Sequence, residues 1–210
     1  MAETVPPEFD RFISRKQAAG DRHRPERPLA AGDTEQPIFA NAVEAAELIG
    51  AAAKRAVGLY RPSRRTEAVW VKGESQLVVG LTGFEVTTGD GLLTVVVPVR
   101  CDQTGRARVS VTFVTGTDKH PAGVYAATHR RPQGPAMIIE TWGENLVAYA
   151  WQCLLGLVAG VAGAVGKDNR GNILVPAEMT VNADGITVVP MARHRFAGST
   201  GLTTTIRPRT

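Results

Sequence analysis

The run from Leu146 to Val165 constrains this chain more than any other stretch. It reads Leu-Val-Ala-Tyr-Ala-Trp-Gln-Cys-Leu-Leu-Gly-Leu-Val-Ala-Gly-Val-Ala-Gly-Ala-Val, with Gln152 its one plainly polar residue and no charge before Lys167. A helix that is apolar on every side has to be buried, in a protein core, between subunits or in lipid. Gly143 and Asn145 suit a helix start, and Gly166 followed by Lys167 suits its end.

Gly156, Gly160 and Gly163 recur at intervals of four and three, so they share one helix face. Each costs about 1 kcal/mol against alanine inside a helix. With Ala159 and Ala162 beside them, they predict a neighbour close to the backbone: a sheet, another helix or a second copy. The same spacing drives helix pairing in lipid. The run also reaches the ~20 residues a bilayer crossing needs. Three features argue against that crossing. Alanine and glycine carry little transfer free energy, strand-like half-buried segments flank the run, and no basic cluster on one flank sets an orientation. The expectation is a helix packed on protein, with membrane insertion of 146–165 the lesser alternative.

The two ends read differently from the middle. Residues 1–37 are broken by Pro6, Pro7, Pro25, Pro28 and Pro37, with charges of both signs between them. Their one apolar cluster is Phe9, Phe12 and Ile13, too little to offset the entropy of ordering. They are expected to form an extended arm, with Phe9 and Phe12 as anchors on a neighbour. Residues 191–210 hold Arg193, Arg195, Arg207 and Arg209 and no carboxylate, a charge equal to the +4 of the whole chain. This basic tail is expected to be irregular, free to meet an acidic partner or a phosphate backbone.

Between them, 38–190 reads as a single α+β domain. Ile38 to Tyr60 has helical periodicity through Leu48, Ile49 and Ala53, with Asn41 and Glu44 spaced for a capping box and Gly58 as a stop. From Glu67 the period changes to two. Strands are predicted around Val69–Val71, Leu77–Leu81, Leu92–Val99 and Val109–Phe113, joined by short turns such as Gly73-Glu74 and Asp90-Gly91. Leu92–Val99 is apolar on both faces and is placed centrally, against the tendency of Pro98. Gly116–Gly134 is a long connection with a short strand at Val124–Thr128. Ala136–Thr141 reads as a strand leading into the glycine-bearing helix. Two more strands, Ile173–Val181 and Gly185–Pro190, meet at the Asn182–Gly185 turn. The predicted fold is an antiparallel meander of about six to eight strands with two helices packed on it.

Signatures of chemistry are missing. Asp118 and His120 have no third ligand nearby, so no metal site is assigned. Gly80-Leu81-Thr82-Gly83 lacks the length and the lysine of a phosphate loop, and no Gly-x-Ser-x-Gly elbow occurs. Cys153 lies in apolar surroundings that keep a thiol inert. No catalytic residue and no cofactor is assigned. Aromatic residues make up 6% of the chain, which argues against a base-stacking sheet. The two cysteines, Cys101 and Cys153, are too few for a disulfide framework and are expected to be free thiols in a reducing, cytoplasmic compartment. No apolar h-region follows Met1-Ala2-Glu3, so no signal peptide is expected.

In layout, with irregular ends around an antiparallel body, the chain resembles structural subunits of phage-type assemblies. The irregular ends, the small-residue helix face and the absence of chemical signatures, rather than that likeness of layout, lead to the expectation of a non-enzymatic subunit of a homo-oligomeric particle or tube, with Gly156, Gly160 and Gly163 at close contacts and the arms crossing onto neighbours. Two other readings stay open. One is a small-molecule or lipid-binding α+β domain, or an enzyme on that scaffold, with a pocket under loop 116–134 and His120, His129 and Arg130 at its mouth. The other is the membrane-inserting protein.

Overall fold

A computed structural model describes residues 5–20, 29–58 and 64–193. The element order is α1 (Pro7–Ala18), β1 (Ile38–Asn41), α2 (Ala42–Ala56), β2 (Glu67–Lys72), β3 (Ser75–Gly80), β4 (Glu85–Gly89), β5 (Leu92–Cys101), β6 (Gly105–Thr115), β7 (Ala126–Thr128), α3 (Ala136–Val165), β8 (Val175–Val181) and β9 (Gly185–Met191). This is an α+β fold with two antiparallel sheets. One has six strands in the order β2-β3-β5-β6-β7, with β4 also paired to β5; the other has three, β1-β9-β8. Backbone bonds stitch the sheets together: Gly91 N–H donates to the Val181 carbonyl, and Val181 N–H to the Gly116 carbonyl.

The meander forms where alternation and turn chemistry agree. In the Gly73-Glu74 turn, Gly73 takes φ +60° and Glu74 stays at negative φ, the pattern of a two-residue type II′ hairpin. β5 is central, as its two apolar faces predict. Its proline falls at a gap between neighbours: β4 pairs with Leu92–Val96 and β3 with Val99 and Arg100, so Pro98 lies between the two partners on that side.

Several assignments differ from the sequence reading, among them residues 85–89, which form a strand of their own, β4. Residues 7–18, expected in an extended arm, form α1. Pro7 sits in the first turn, where a missing N–H is harmless, and Phe9, Phe12 and Ile13 at helical spacing are all buried. Burying each phenylalanine contributes about 1.5–3 kcal/mol. The helix predicted from Ile38 is in fact β1 followed by α2, with Asn41 as N-cap: its side chain accepts from Glu44 N–H, and Glu44 caps Asn41 N–H in return. The strand predicted at Ala136–Thr141 is the first part of α3, because Ile138, Ile139, Trp142 and Leu146 form a buried stripe at helical spacing. Finally, the strands divide into two sheets rather than one.

α3 is the spine. It packs on α1 and α2 and against strands of both sheets. By length and composition it could cross a membrane, but most of its apolar stretch is buried within this chain. Its outward stripe carries Glu140, Glu144, Asn145 and Gln152.

Candidate functional site

The residues singled out in the sequence go to three places. Gly156, Gly160 and Gly163 do lie at close contacts, each with a different neighbour inside the chain. A Cβ on Gly156 would come within 2.9 Å of the Ala52 Cβ on α2. One on Gly160 would meet the Phe9 ring on α1, and one on Gly163 would sit 3.1 Å from Val5. Phe9 and Phe12 are thus anchored on their own chain. Arg193 is exposed at the end of the described residues, whereas Arg195, Arg207 and Arg209 lie outside them.

The first part of loop 116–134, residues 116–123, lies along β8, and the remainder runs beside β6. Gly116 bridges to Thr180, Met179 N–H donates to the Gly123 carbonyl, and Thr180 Oγ donates to Asp118 at 2.6 Å. Asp118 also accepts from Asn182, so this carboxylate pins the loop. His120, His129 and Arg130 are exposed on it. The two clefts described below are lined by no residue of 116–134.

Titratable groups off the surface are few. Burial pushes the Cys153 thiol up to about 12 and raises the neighbouring Tyr149 hydroxyl as well. A thiol held protonated in this way is no nucleophile at neutral pH. Tyr149 donates to the Gly80 carbonyl at 3.3 Å, which ties α3 to β3. Cys101 is a half-buried free thiol whose pKa is lowered, chiefly by a hydrogen bond with Thr104. Asp168 is held below the usual carboxylate range, first by the Asn172 side chain and then by backbone N–H groups of Asn172 and Arg170, and it closes the loop after α3. Among the described residues no three His, Cys, Asp or Glu side chains converge as a metal site would need.

What the molecule presents to its surroundings is the outer face of the six-stranded sheet and its β2 edge. Register puts Glu67, Val69 and Val71 of β2, Val78 of β3, Leu92 to Arg100 at alternate positions of β5, and Arg106 to Val114 at alternate positions of β6 on that outer face. Val69 is 56% exposed, Val71 71%, Leu92 38% and Val114 40%. Charges on this face are largely paired. Arg100 meets Glu67 at 3.4 Å and Arg108 meets Glu85 at 2.5 Å. A groove of about 590 Å³ runs where β3 meets β5, lined by Glu67, Gly80, Pro98, Arg100, Arg106 and Arg108. Two of its three guanidinium groups are matched by carboxylates, so it is not a concentrated anion site.

A second cleft, of about 830 Å³, lies beside the edge of β2 that pairs with nothing among the described residues, between that strand, the end of α2 and α3. Trp70 and Tyr149 meet edge to face there at 5.3 Å, and Trp142 lies 6.2 Å from Trp70. Ala68, Asn145, Ala148 and Gln152 complete the walls. Sequence reading missed this edge. Its signal was the exposed pair Val69 and Val71 in a strand with neither proline nor a central charge.

No family model, curated protein or solved structure matches this chain.

Proposed function

We propose that this chain is a non-enzymatic structural subunit of a homo-oligomeric assembly, a component of a particle or tube. The observation that carries this is the concentration of exposed apolar side chains. Of the eight large apolar residues exposed among the described residues, four, namely Val69, Val71, Leu92 and Val114, share the outer face of one sheet. Val69 and Val71 lie at the β2 end of that face and Leu92 and Val114 at its far end, with the Arg100–Glu67 and Arg108–Glu85 pairs between them. Apolar residues interleaved with paired charges have the make-up of a protein interface. Other groups support the same reading, since the buried Cys153 and Tyr149 are held neutral and Asp168 and the exposed Asp118 are occupied in pinning loops.

In this reading the basic residues from Arg193 onward make secondary contacts with an acidic surface of a neighbour or with a phosphate backbone. Multi-angle light scattering of the full chain tests the proposal. A native mass several times that of one chain at micromolar concentration is expected. A clean monomer at high micromolar concentration would reject it.

A further inference from the structure

The β2 strand is an edge of an unusual kind in this molecule. Among the described residues every other edge of the two sheets is short, irregular or covered, including the outer side of β4, a five-residue strand against which α2 and β9 pack. β7 has three residues and continues into 129–134, where Gln133 bridges to Ser110. β8 carries a register shift at Pro176/Glu178 and is covered by loop 116–123. β1 has four residues and runs directly into α2. β2 has six residues in unbroken register with β3, and its other side pairs with nothing among the described residues. Exposed edges are normally guarded by proline, a bulge or a lysine. Here the lysine is withdrawn: Lys72 Nζ donates to the Thr141 carbonyl on α3.

The hairpin fixes which backbone groups point outward. Thr66 accepts from Leu81 N–H, so Thr66, Ala68, Trp70 and Lys72 bond to β3. The N–H and C=O groups of Glu67, Val69 and Val71 therefore point off the open edge. Three outward residues centred on Val69 are complementary to themselves under a two-fold axis. Antiparallel pairing about Val69 sets Val69 against Val69 and Glu67 against Val71, each as a pair exchanging both backbone bonds. On the inner face it sets each Trp70 against the partner's Ala68, a large residue against a small one, above the open cleft walled by Trp142 and Tyr149.

We infer that β2 is a self-pairing strand, through which two copies of this chain join antiparallel about Val69 and merge their six-stranded sheets into one. This rests on the reading of the chain as a self-associating subunit and specifies one of its contacts. Main-chain bonds at Glu67, Val69 and Val71 supply the attraction, and the Ala68–Trp70 match sets the register.

Single-cysteine crosslinking of the full chain tests it, in a Cys101→Ser background with Cys153 left buried. In the inferred register the two Val69 Cα atoms lie about 5.5 Å apart, within the ~4.4–6.8 Å that a disulfide spans. Val69→Cys should then oxidise to a covalent dimer. Val71→Cys, on the same face and more exposed, should not, since the two copies of residue 71 are offset by about 13 Å along the strands. Val69→Pro removes one outward donor and none of the bonds to β3, and Val69→Lys places a charge at the centre of the edge. Each should weaken the β2 contact at least tenfold, reducing the native mass by loss of that contact. A wild-type monomer would overturn the assembly reading and this one with it. A wild-type assembly whose mass neither variant changes, with equal disulfide yields from positions 69 and 71, would leave the assembly standing and overturn the β2 contact.

Discussion

The Phe9 ring fills the space that a side chain on Gly160 would need: Cε1 and Cζ of the ring lie 2.5 Å from where that Cβ would stand. Gly160→Ala should therefore destabilise the fold. Overpacking costs about 1–3 kcal/mol, and the better helix propensity of alanine returns about 1 kcal/mol. The net loss should show in urea unfolding. Phe9→Ala empties the same space, so the double variant should lose less than the sum of the two single ones, the mark of a direct contact.

The other two glycines on that face should respond unequally. A Cβ at Gly156 meets Ala52 Cβ, a short group fixed to the backbone of α2, so only a shift of α2 against α3 relieves the clash. At Gly163 the nearest atom is the end of the Val5 side chain, which can turn aside. Gly156→Ala should lower the melting temperature, whereas Gly163→Ala should leave it unchanged or raise it slightly. Thermal unfolding of the pair decides this.

Glu44 serves two purposes that mutation can separate. It completes the capping box with Asn41, and its carboxylate meets Lys16 of α1 at 3.0 Å. Asn41→Ala should cost about 1 kcal/mol. Glu44→Gln keeps a capping side chain but loses the ion pair. It should loosen α1 alone, seen as faster hydrogen exchange over residues 7–18 with little change in α2.

Alkaline pH should unfold the protein through Cys153. Burial raises its pKa from 9.0 to about 12, so the thiol ionises first in the unfolded chain. Stability is then intact below pH 9 and is lost as pH climbs towards 12, by up to ~1.4 kcal/mol per pH unit. Tyr149, with an ordinary value of 10.0, adds to the loss only above pH 10. Cys153→Ala should flatten the decline between pH 9 and 10, measured by unfolding at a series of pH values.

The meander was legible because three signals coincide in it. Val109, Val111 and Phe113 alternate with polar residues, glycine turns separate the strands, and Leu92–Val99 is apolar on both faces. Other elements hid behind conflicting local signals. Pro6-Pro7 looks like a helix breaker, yet at a helix start the same prolines fit, and Phe9, Phe12 and Ile13 already had helical spacing. Ile138 and Ile139 favour a strand by side-chain type, and the helix shows only once Trp142 and Leu146 are included in the stripe. β1 is four residues long, too short for its alternation to stand out from the helix it precedes. That α3's small-residue face wants a close neighbour could be read from the spacing. That the neighbours are α1 and α2 could not, since contacts between Phe9 and Gly160 depend on tertiary placement rather than on any local pattern.

The covering of α3 by α1 bears on how the molecule can be shortened. A version begun at Ile38 would keep both sheets but leave a bare trough along Gly160 and Gly163, greasy and without its lid. Such a fragment should clump or need detergent, and could be mistaken for a lipid-embedded protein on that account alone.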